Sequence, residues 1–243
     1  MSLPKKAPLP SPLKKTVKTS AGSLLLAEKA TTKVLRQTVK DASSRTAGDL
    51  AARHDKRDEA IALLLLMASR RLASDTEQAL RKAKMAAWAV GARRLQVELR
   101  ASGAIKSAAA VRLTPPVVTD VQTVTSAESL ALAWRQRALY AMQEEDGAVT
   151  DVNLDANIAR TAATETAQAY DEGHVDGLDE VLDEGLLLVD RWDAMLDACP
   201  TCLALDGTTT EVGEPFPSGE EPSYVHVRCR CIRTTIGLPH VAS

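Results

Sequence analysis

Cysteines occur in only two short stretches, both near the C-terminal end of the chain. They form the pairs Cys199-x2-Cys202 and Cys229-x-Cys231, and His226 lies three residues before the second pair. A C-x2-C turn directs two sulfurs towards one ion, and a distant second pair can close a tetrahedral site. Zn²⁺ prefers sulfur and nitrogen ligands of this kind. The spacing therefore predicts a structural zinc site in this part of the chain.

The ligand set of this site stays open at the level of sequence. Five donors compete for four positions, so the ligands are either all four cysteines or three of them with His226. On a regular strand, Cys229 and Cys231 would project from the same face while Arg230 points away. Disulfides and unligated thiols are the alternatives to a metal. A closed four-ligand site leaves no position for a substrate, so we expect a structural module and not an enzyme.

Other residues that could do chemistry do not form a recognisable motif. The sequence contains no Gly-rich phosphate loop, no H-E-x-x-H and no G-x-S-x-G. Glu165 lies in an Ala/Thr-rich segment and is a candidate for a buried carboxylate, with Arg160 or Arg191 as its expected partner. The acidic run 171–184 is expected to be a solvated helix face. Three further histidines are expected at the surface: His54, His174 and His240.

Composition favours helices as the elements that position these residues. Hydrophobic residues make up 45% of the 243 residues, but aromatic residues make up only 3%. Strands prefer β-branched and aromatic residues, so this bias favours a mainly helical body. Residues 21–113 are predicted to form a helical N-terminal region, 114–124 a linker containing Pro115-Pro116, and 125–184 a second helical part.

Capping signals predict where individual helices begin. Capping boxes predict helix starts at Ser74 and at Thr125, each followed three residues later by Glu. Asn153 is the predicted N-cap of a further helix that ends near Gly173. Leu130, Trp134, Ala138 and Met142 are spaced to share one buried helix face.

Residues 185–243 have a different character from the rest of the chain. The segment GLLLVDRWDAM is predicted to be a strand that leads into the first cysteine pair. Gly, Pro and Thr then become frequent, which indicates turns and short strands. The predicted fold class is therefore α+β, with a mainly helical body and a small C-terminal β-rich Cys/His module.

Charge is distributed unevenly along the sequence, although the net charge is only −2. Residues 1–100 contain 21 Lys and Arg against 9 Asp and Glu, whereas residues 101–243 contain 9 against 23. The Pro-rich segment 1–20 is predicted to be a disordered basic tail. A basic N-terminal half could contact nucleic acid phosphates or an acidic protein surface. The candidate residues for such contacts are Lys5, Lys6, Lys14, Lys15 and Lys18.

Hydropathy excludes the usual membrane and secretion signals from the sequence as given. No apolar run approaches the roughly 20 residues needed to span a bilayer. The basic N-terminal segment lacks the apolar core of a secretory signal. We therefore expect no membrane partner and synthesis in a reducing cytoplasm.

The order of features from about residue 125 to 238 resembles the Mu F-like minor head protein domain of tailed double-stranded DNA phages. The segments ARTAATETAQAYDEG, DRWDAMLDACPTCLALDG and HVRCRC carry the resemblance. Beside the cysteines and His226, the matching residues are Thr164, Glu165, Thr166, Gly173, Trp192, Asp197, Leu205, Asp206, Gly207 and Arg230. The match is most specific in the last 45 or so residues.

This resemblance implies a low-copy protein inside the phage head, near the portal vertex, that passes through the host cytoplasm during assembly. It implies the portal protein, the major capsid or scaffolding protein, and packaged DNA bound without sequence preference as partners. Its implied roles are head morphogenesis and DNA packaging or ejection. The alternatives are a zinc-stabilised DNA-binding protein and a hydrolase that uses Glu165 with the Cys/His residues.

Overall fold

A computed structural model describes residues 11–52, 58–105, 121–143, 148–179, 188–195, 197–226 and 228–237. Five α-helices and three β-strands lie within these ranges. In chain order they are α1 (Ser11–Ala51), α2 (Asp58–Ala101), α3 (Val121–Ala141), α4 (Asp155–Asp179), β1 (Leu188–Asp193), α5 (Pro200–Leu205), β2 (Thr209–Glu211) and β3 (Ile232–Gly237). The predicted α+β class with a mainly helical body is confirmed.

The chain divides into two compact units, each assembled from separate segments. Unit 1 consists of Met1–Glu28, Lys84–Pro116 and Ala163–Ser243, and unit 2 of Lys29–Ala83 and Val117–Ala162. Helices α1, α2 and α4 each contribute residues to both units. These units cut across the sequential segments that composition suggested, because long helices continue through the expected boundaries.

The first correction concerns the N-terminal tail. Helix α1 begins at Ser11, so the prediction of disorder through residue 20 is wrong from that residue onward. Proline is tolerated in a first helical turn, and Pro12 occupies that turn. Leu13, Ser20 and Leu24 are buried at helical spacing, which gives this segment a packed face despite its lysines. Lys5 and Lys6 lie outside the described residues.

Helix starts were predicted with mixed success. Helix α2 runs through Ser74 without a break, because its buried face continues on both sides of that residue. Helix α3 begins at Val121, and the Thr125 hydroxyl donates back to the Val121 carbonyl instead of capping (2.8 Å). Both capping-box predictions are therefore wrong. Asn153 is confirmed at the start of α4, since its side-chain oxygen accepts from the Asp155 amide (2.9 Å), although the N-cap itself is Leu154, whose carbonyl accepts from Ile158 (2.9 Å).

Close contact between the backbones of α2 and α4 organises unit 1. A Cβ added at Gly91 would lie 1.9 Å from the Tyr170 carbonyl oxygen, and one added at Gly173 would lie 2.0 Å from that of Trp88. Glycine is therefore required on both helices at the crossing. Helix α4 continues through Gly173 to Asp179, so this glycine serves packing and does not end the helix as predicted.

A three-stranded antiparallel sheet in unit 1 has the order β2-β1-β3. The predicted strand in GLLLVDRWDAM is confirmed as β1, which is the central strand. Val189 pairs with Ile236 of β3 and with Glu211 of β2. The sheet thus joins the segment before the first cysteine pair to the segment after the second.

Unit 2 has its own apolar core, formed by α1, α2, α3 and α4. Leu130, Trp134 and Ala138 are buried in it, as the spacing on α3 predicted. The Trp134 indole donates to the Ser43 hydroxyl (2.9 Å), which satisfies its only polar group. None of the described helices carries an apolar stretch of the length that a bilayer requires.

The charge asymmetry of the sequence is largely cancelled within the fold. Unit 1 contains 15 Lys and Arg with 18 Asp and Glu, and unit 2 contains 15 with 14. The basic segments of α1 and α2 in unit 1 belong to the same unit as the acidic C-terminal residues. Basic residues from the N-terminal half and acidic residues from the C-terminal half can therefore pair within unit 1.

Candidate metal centre

The five Cys/His candidates converge in unit 1, as the spacing predicted. The Sγ atoms of Cys202, Cys229 and Cys231 lie within 4.8 Å of one another and form the inner triad. The ligand atoms of Cys199, Cys202 and His226 satisfy the same limit and form the outer triad. Cys202 belongs to both. Together the five residues form a cluster that could hold a metal ion, called the Cys/His cluster below.

Helix α5 positions the first cysteine pair. Cys199 is its N-cap, with an extended backbone, and Pro200 occupies the first helical turn. The Cys199 sulfur accepts a hydrogen bond from the Cys202 amide (3.5 Å), as a capping side chain does. The two sulfurs therefore share one side of the first helical turn, which is the geometry that a C-x2-C pair needs.

The second pair lies in irregular backbone between a turn and strand β3, not in a strand. Strand β3 begins at Ile232, so the expectation of a regular strand across Cys229 and Cys231 is wrong. The Cys229 amide donates to the His226 carbonyl (3.0 Å), and Arg228 has a φ of 70°. This turn brings both sulfurs inward without strand geometry.

Distances within the Cys/His cluster fit a tetrahedral metal site. The Sγ atoms of Cys202 and Cys229 are 3.8 Å apart, and the Cys202 sulfur is 3.4 Å from Nε2 of His226. Tetrahedral zinc with Zn–S bonds of about 2.3 Å and Zn–N bonds of about 2.0 Å separates such ligands by roughly 3.8 and 3.5 Å. A disulfide needs about 2.05 Å, and all four cysteines are free thiols.

Protonation within the Cys/His cluster is strongly uneven. A hydrogen bond from Cys231 and amide hydrogen bonds lower the pKa of Cys229 to about 5. Burial raises the pKa of Cys202 to about 12. At Cys199, the hydrogen bond from the Cys202 amide lowers the pKa to about 7. A bound cation would displace the protons that these thiols carry.

Aromatic side chains surround the inner triad. Trp192 is fully buried and packs with Cys202, Cys229 and Cys231. Phe216 meets the Trp192 ring edge-on, with ring centroids 5.3 Å apart. This apolar shell lowers the access of water to the three sulfurs, which favours a structural over an exchangeable site.

Asp206 and Gly207 connect α5 to the sheet. The Asp206 carboxylate accepts from the Ala194 amide (2.9 Å), and the Gly207 amide donates to the Trp192 carbonyl (2.8 Å). Gly207 has a φ of 77°, a region that favours glycine. These two residues hold the end of α5 against β1, close to the cysteines.

Arg230 lies between two cluster cysteines and binds two carboxylates. Its guanidinium forms a bidentate pair with Glu28 of α1 (2.6 and 2.7 Å) and a single bond to Asp197 (2.7 Å). The hydrogen bonds that Arg230 donates to Glu28 raise the pKa of Arg230. Asp197 lies two residues before Cys199, so the Arg230 side chain connects both cysteine segments to α1.

Glu165 is buried, as predicted, but its partner is different. Its carboxylate is 3.3 Å from the Lys84 ammonium, and both side chains are at most 2% exposed. Arg191 instead pairs with Asp193, so the expected partner was wrong. Among the described residues, Glu165 belongs to neither the inner nor the outer triad. The geometry therefore assigns it to the α2–α4 packing.

A buried network that sequence reasoning missed joins α2, α4 and β3. Glu98 accepts from Arg94, from Nε2 of His174 (2.8 Å) and from the Thr235 amide (3.0 Å). His174 is 1% exposed, so its predicted surface position is wrong. The one signal in the sequence was the spacing of Arg94 and Glu98. These two residues are four apart and could pair on the same helix face, next to the apolar Leu95.

A second buried network surrounds Arg233 of β3. Its guanidinium donates to Asp190 (2.9 Å), lies 3.7 Å from Asp171 and pairs with Glu221. Burial raises the pKa of Asp171 to about 6. The expectation of a solvated acidic face is therefore wrong at Asp171, which is 4% exposed. Residues 180–184 of that run lie outside the described residues.

Comparisons with protein-family models, curated proteins and solved structures return no match to this chain. Its function must therefore be inferred from the Cys/His cluster, from the residues around it and from the sequence resemblance.

Proposed function

We propose that the chain is a minor head protein of a tailed double-stranded DNA phage, of the Mu F-like type, stabilised by a structural zinc ion. One observation carries this proposal. The matching residues from Trp192 to Cys231 are the residues that build and support the Cys/His cluster. A chance similarity of scattered residues would not be expected to converge in this way.

Each of these residues has a structural role that explains its presence in the motif. Trp192 covers the inner triad, and Asp206 with Gly207 attaches α5 to β1. Arg230 and Asp197 connect the two cysteine segments. The motif therefore behaves as one folded module, which supports the view that it is inherited as a unit.

The inner triad supplies three zinc ligands in this proposal. Cys202, Cys229 and Cys231 are fully buried, and the fourth ligand is either Cys199 or His226. With four protein ligands the ion is closed to substrate and fixes the turn-rich end of the chain. The Glu165 carboxylate is paired with Lys84 and does not belong to either triad, which favours this structural role over a hydrolase.

Packaged DNA is the proposed partner of the basic surface of α1. Lys14, Lys15 and Lys18 are exposed in unit 1. In unit 2, Lys29, Lys33 and Lys40 are exposed at intervals of four and seven residues, and so follow one side of the helix. Eleven residues of helix extend about 16 Å, enough to meet several phosphates.

The other proposed partners are proteins of the phage head. The protein would assemble with the portal protein, and with the major capsid or scaffolding protein, in the host cytoplasm. It would then remain inside the capsid near the portal vertex.

Particles of the phage that encodes this chain provide the test. Quantitative mass spectrometry of purified virions should find the chain at a few to some tens of copies per particle. Immunoprecipitation of the portal from procapsids should recover it. If the chain is absent from virions and also from procapsids, the proposal is wrong.

A further inference from the structure

Arg230 connects the Cys/His cluster to a helix that contributes no ligand. It lies between Cys229 and Cys231, and its guanidinium grips both carboxylate oxygens of Glu28 on α1. The side chains of Arg230 and Glu28 are only 18% and 13% exposed. Water therefore screens this pair little, and its bidentate geometry depends on where the cysteine turn places Arg230.

The same turn also controls the apolar contact with α1. Ile232 follows Cys231 directly and packs with Leu24 and Tyr170. The Tyr170 hydroxyl donates to the Ser20 carbonyl (3.3 Å). The charged attachment of the first part of α1 therefore depends on the segment from Arg230 to Ile232. Ile232 also provides part of its apolar attachment, while Leu24 packs in addition with Tyr170 and Ala167 of α4.

The backbone around this turn includes two residues in a strained conformation. Ser223 and Arg228 both have a φ of 70°, which is unfavourable for residues other than glycine. The Ser223 hydroxyl donates to the Cys231 carbonyl (3.0 Å), and the Arg228 amide donates to Thr164 (3.1 Å). A turn of this kind is expected to relax unless the two cysteine sulfurs are fixed from inside.

We propose that metal binding at the Cys/His cluster fastens the segment of α1 from Ser11 to Glu28 onto unit 1 through Arg230, and that metal loss releases it. The inference rests on the zinc site proposed above. With the ion bound, Cys229 and Cys231 hold Arg230 opposite Glu28. Without it, the turn relaxes, the bidentate pair is lost, and the apolar face formed by Leu24, Tyr170 and Ile232 becomes exposed.

Hydrogen–deuterium exchange of the full chain, with zinc and after its removal by a chelator, tests this coupling. Amides of residues 13–27 should exchange at least tenfold faster without zinc, whereas those of α3 in unit 2 should change less than twofold. The Glu28→Gln variant should bind zinc normally and yet show fast exchange at residues 13–27 with zinc present. Asp41→Asn, a change elsewhere on α1, should behave like the wild type.

The outcomes separate the coupling from the site on which it depends. If the chain binds zinc but residues 13–27 exchange equally with and without it, the coupling is wrong and the site stands. If Glu28→Gln leaves exchange slow in the zinc-loaded protein, Arg230 is not the connection. A chain that takes up no zinc overturns both, whether or not it is found in virions.

Discussion

The carboxylate of Glu98 and the imidazole of His174 lie 2.8 Å apart in a region of unit 1 that solvent does not reach. Arg94 donates to the other carboxylate oxygen. The carboxylate of Glu98 on α2 therefore binds one residue of its own helix and one residue of α4. Although burial opposes ionisation, Arg94 and His174 keep the pKa of Glu98 below its ordinary value. Glu98 therefore ties α2 to α4 as an ionised group.

Replacing this carboxylate should be costly for stability. Glu98→Gln leaves the buried Arg94 without its counter-charge, and a loss of about 3–5 kcal/mol in the free energy of unfolding is expected. Glu77→Gln is the matched control, because Glu77 pairs with Arg81 four residues away on the same helix but is more exposed. It should cost about 0.5 kcal/mol or less. Urea denaturation followed by circular dichroism compares them, and equal losses would contradict the assigned role.

Glycine at the α2–α4 crossing should not tolerate a methyl group. Gly173→Ala would place its Cβ 2.0 Å from the Trp88 carbonyl oxygen, which is far inside van der Waals contact, so the helices must separate. A loss of about 1–3 kcal/mol or more is expected. Gly48→Ala is the control, since nothing lies within 4 Å of a Cβ there and α1 is helical. That change should stabilise by about 0.5–1 kcal/mol, and a harmless Gly173→Ala would show that the crossing is looser.

Asp171 should make stability depend on pH in the direction opposite to that of Glu98. Its folded pKa, about 6, lies above its ordinary value of 3.8, so the folded state binds this proton more tightly. Its contribution is present at low pH and is lost as pH rises through about 6. The free energy of unfolding should therefore fall less between pH 5 and pH 7 in Asp171→Asn than in the wild type, as denaturation curves at the two pH values would show. An unchanged difference would mean that Asp171 ionises normally.

The exposed lysines on one side of α1 in unit 2 should contribute part of the affinity for DNA. Changing Lys29, Lys33 and Lys40 together to Gln should weaken binding at low salt and reduce the slope of log K against log salt by about 2–3. The corresponding Lys→Arg triple variant keeps the charge and should bind as the wild type does. Fluorescence anisotropy with random-sequence duplexes measures both, and an unchanged slope would remove this face from the proposed interface.

Local signals in the sequence predicted the cluster well. The spacing of Cys199 and Cys202, and the recurrence of Cys229 and Cys231, identified the convergent residues before any fold was known. Asn153 was recognisable as part of a helix start because its side chain acts on a backbone amide two residues away. Such interactions are local, so a single stretch of sequence contains both partners.

Long-range partners could not be predicted in the same way. Lys84 and Glu165 are 81 residues apart in sequence, and nothing near Glu165 indicates which cation reaches it. The helical start of α1 was missed because its prolines and lysines outweighed the spacing of Leu13 and Leu24. His174 was placed at the surface because Gly173 suggested a helix end, whereas that glycine permits close packing with α2.

Substitution of single residues of the Cys/His cluster should show which of them bind zinc. Cys202 belongs to both triads, so Cys202→Ser should lower zinc affinity by more than a hundredfold. Cys199→Ser and His226→Ala should differ from each other, since only one of these residues completes the site. Competition with a chromophoric chelator measures the affinities. Equal, small effects of all three changes would contradict a closed site built on Cys202.

X-ray absorption at the zinc edge, with metal analysis of the purified full-length chain, tests the central claim most directly. The account predicts one zinc per chain with three or four sulfur ligands at about 2.3 Å, any remaining position being filled by one nitrogen ligand. Its thiols should react with an alkylating reagent only after chelation. A metal-free chain whose thiols react freely in the native state would contradict it.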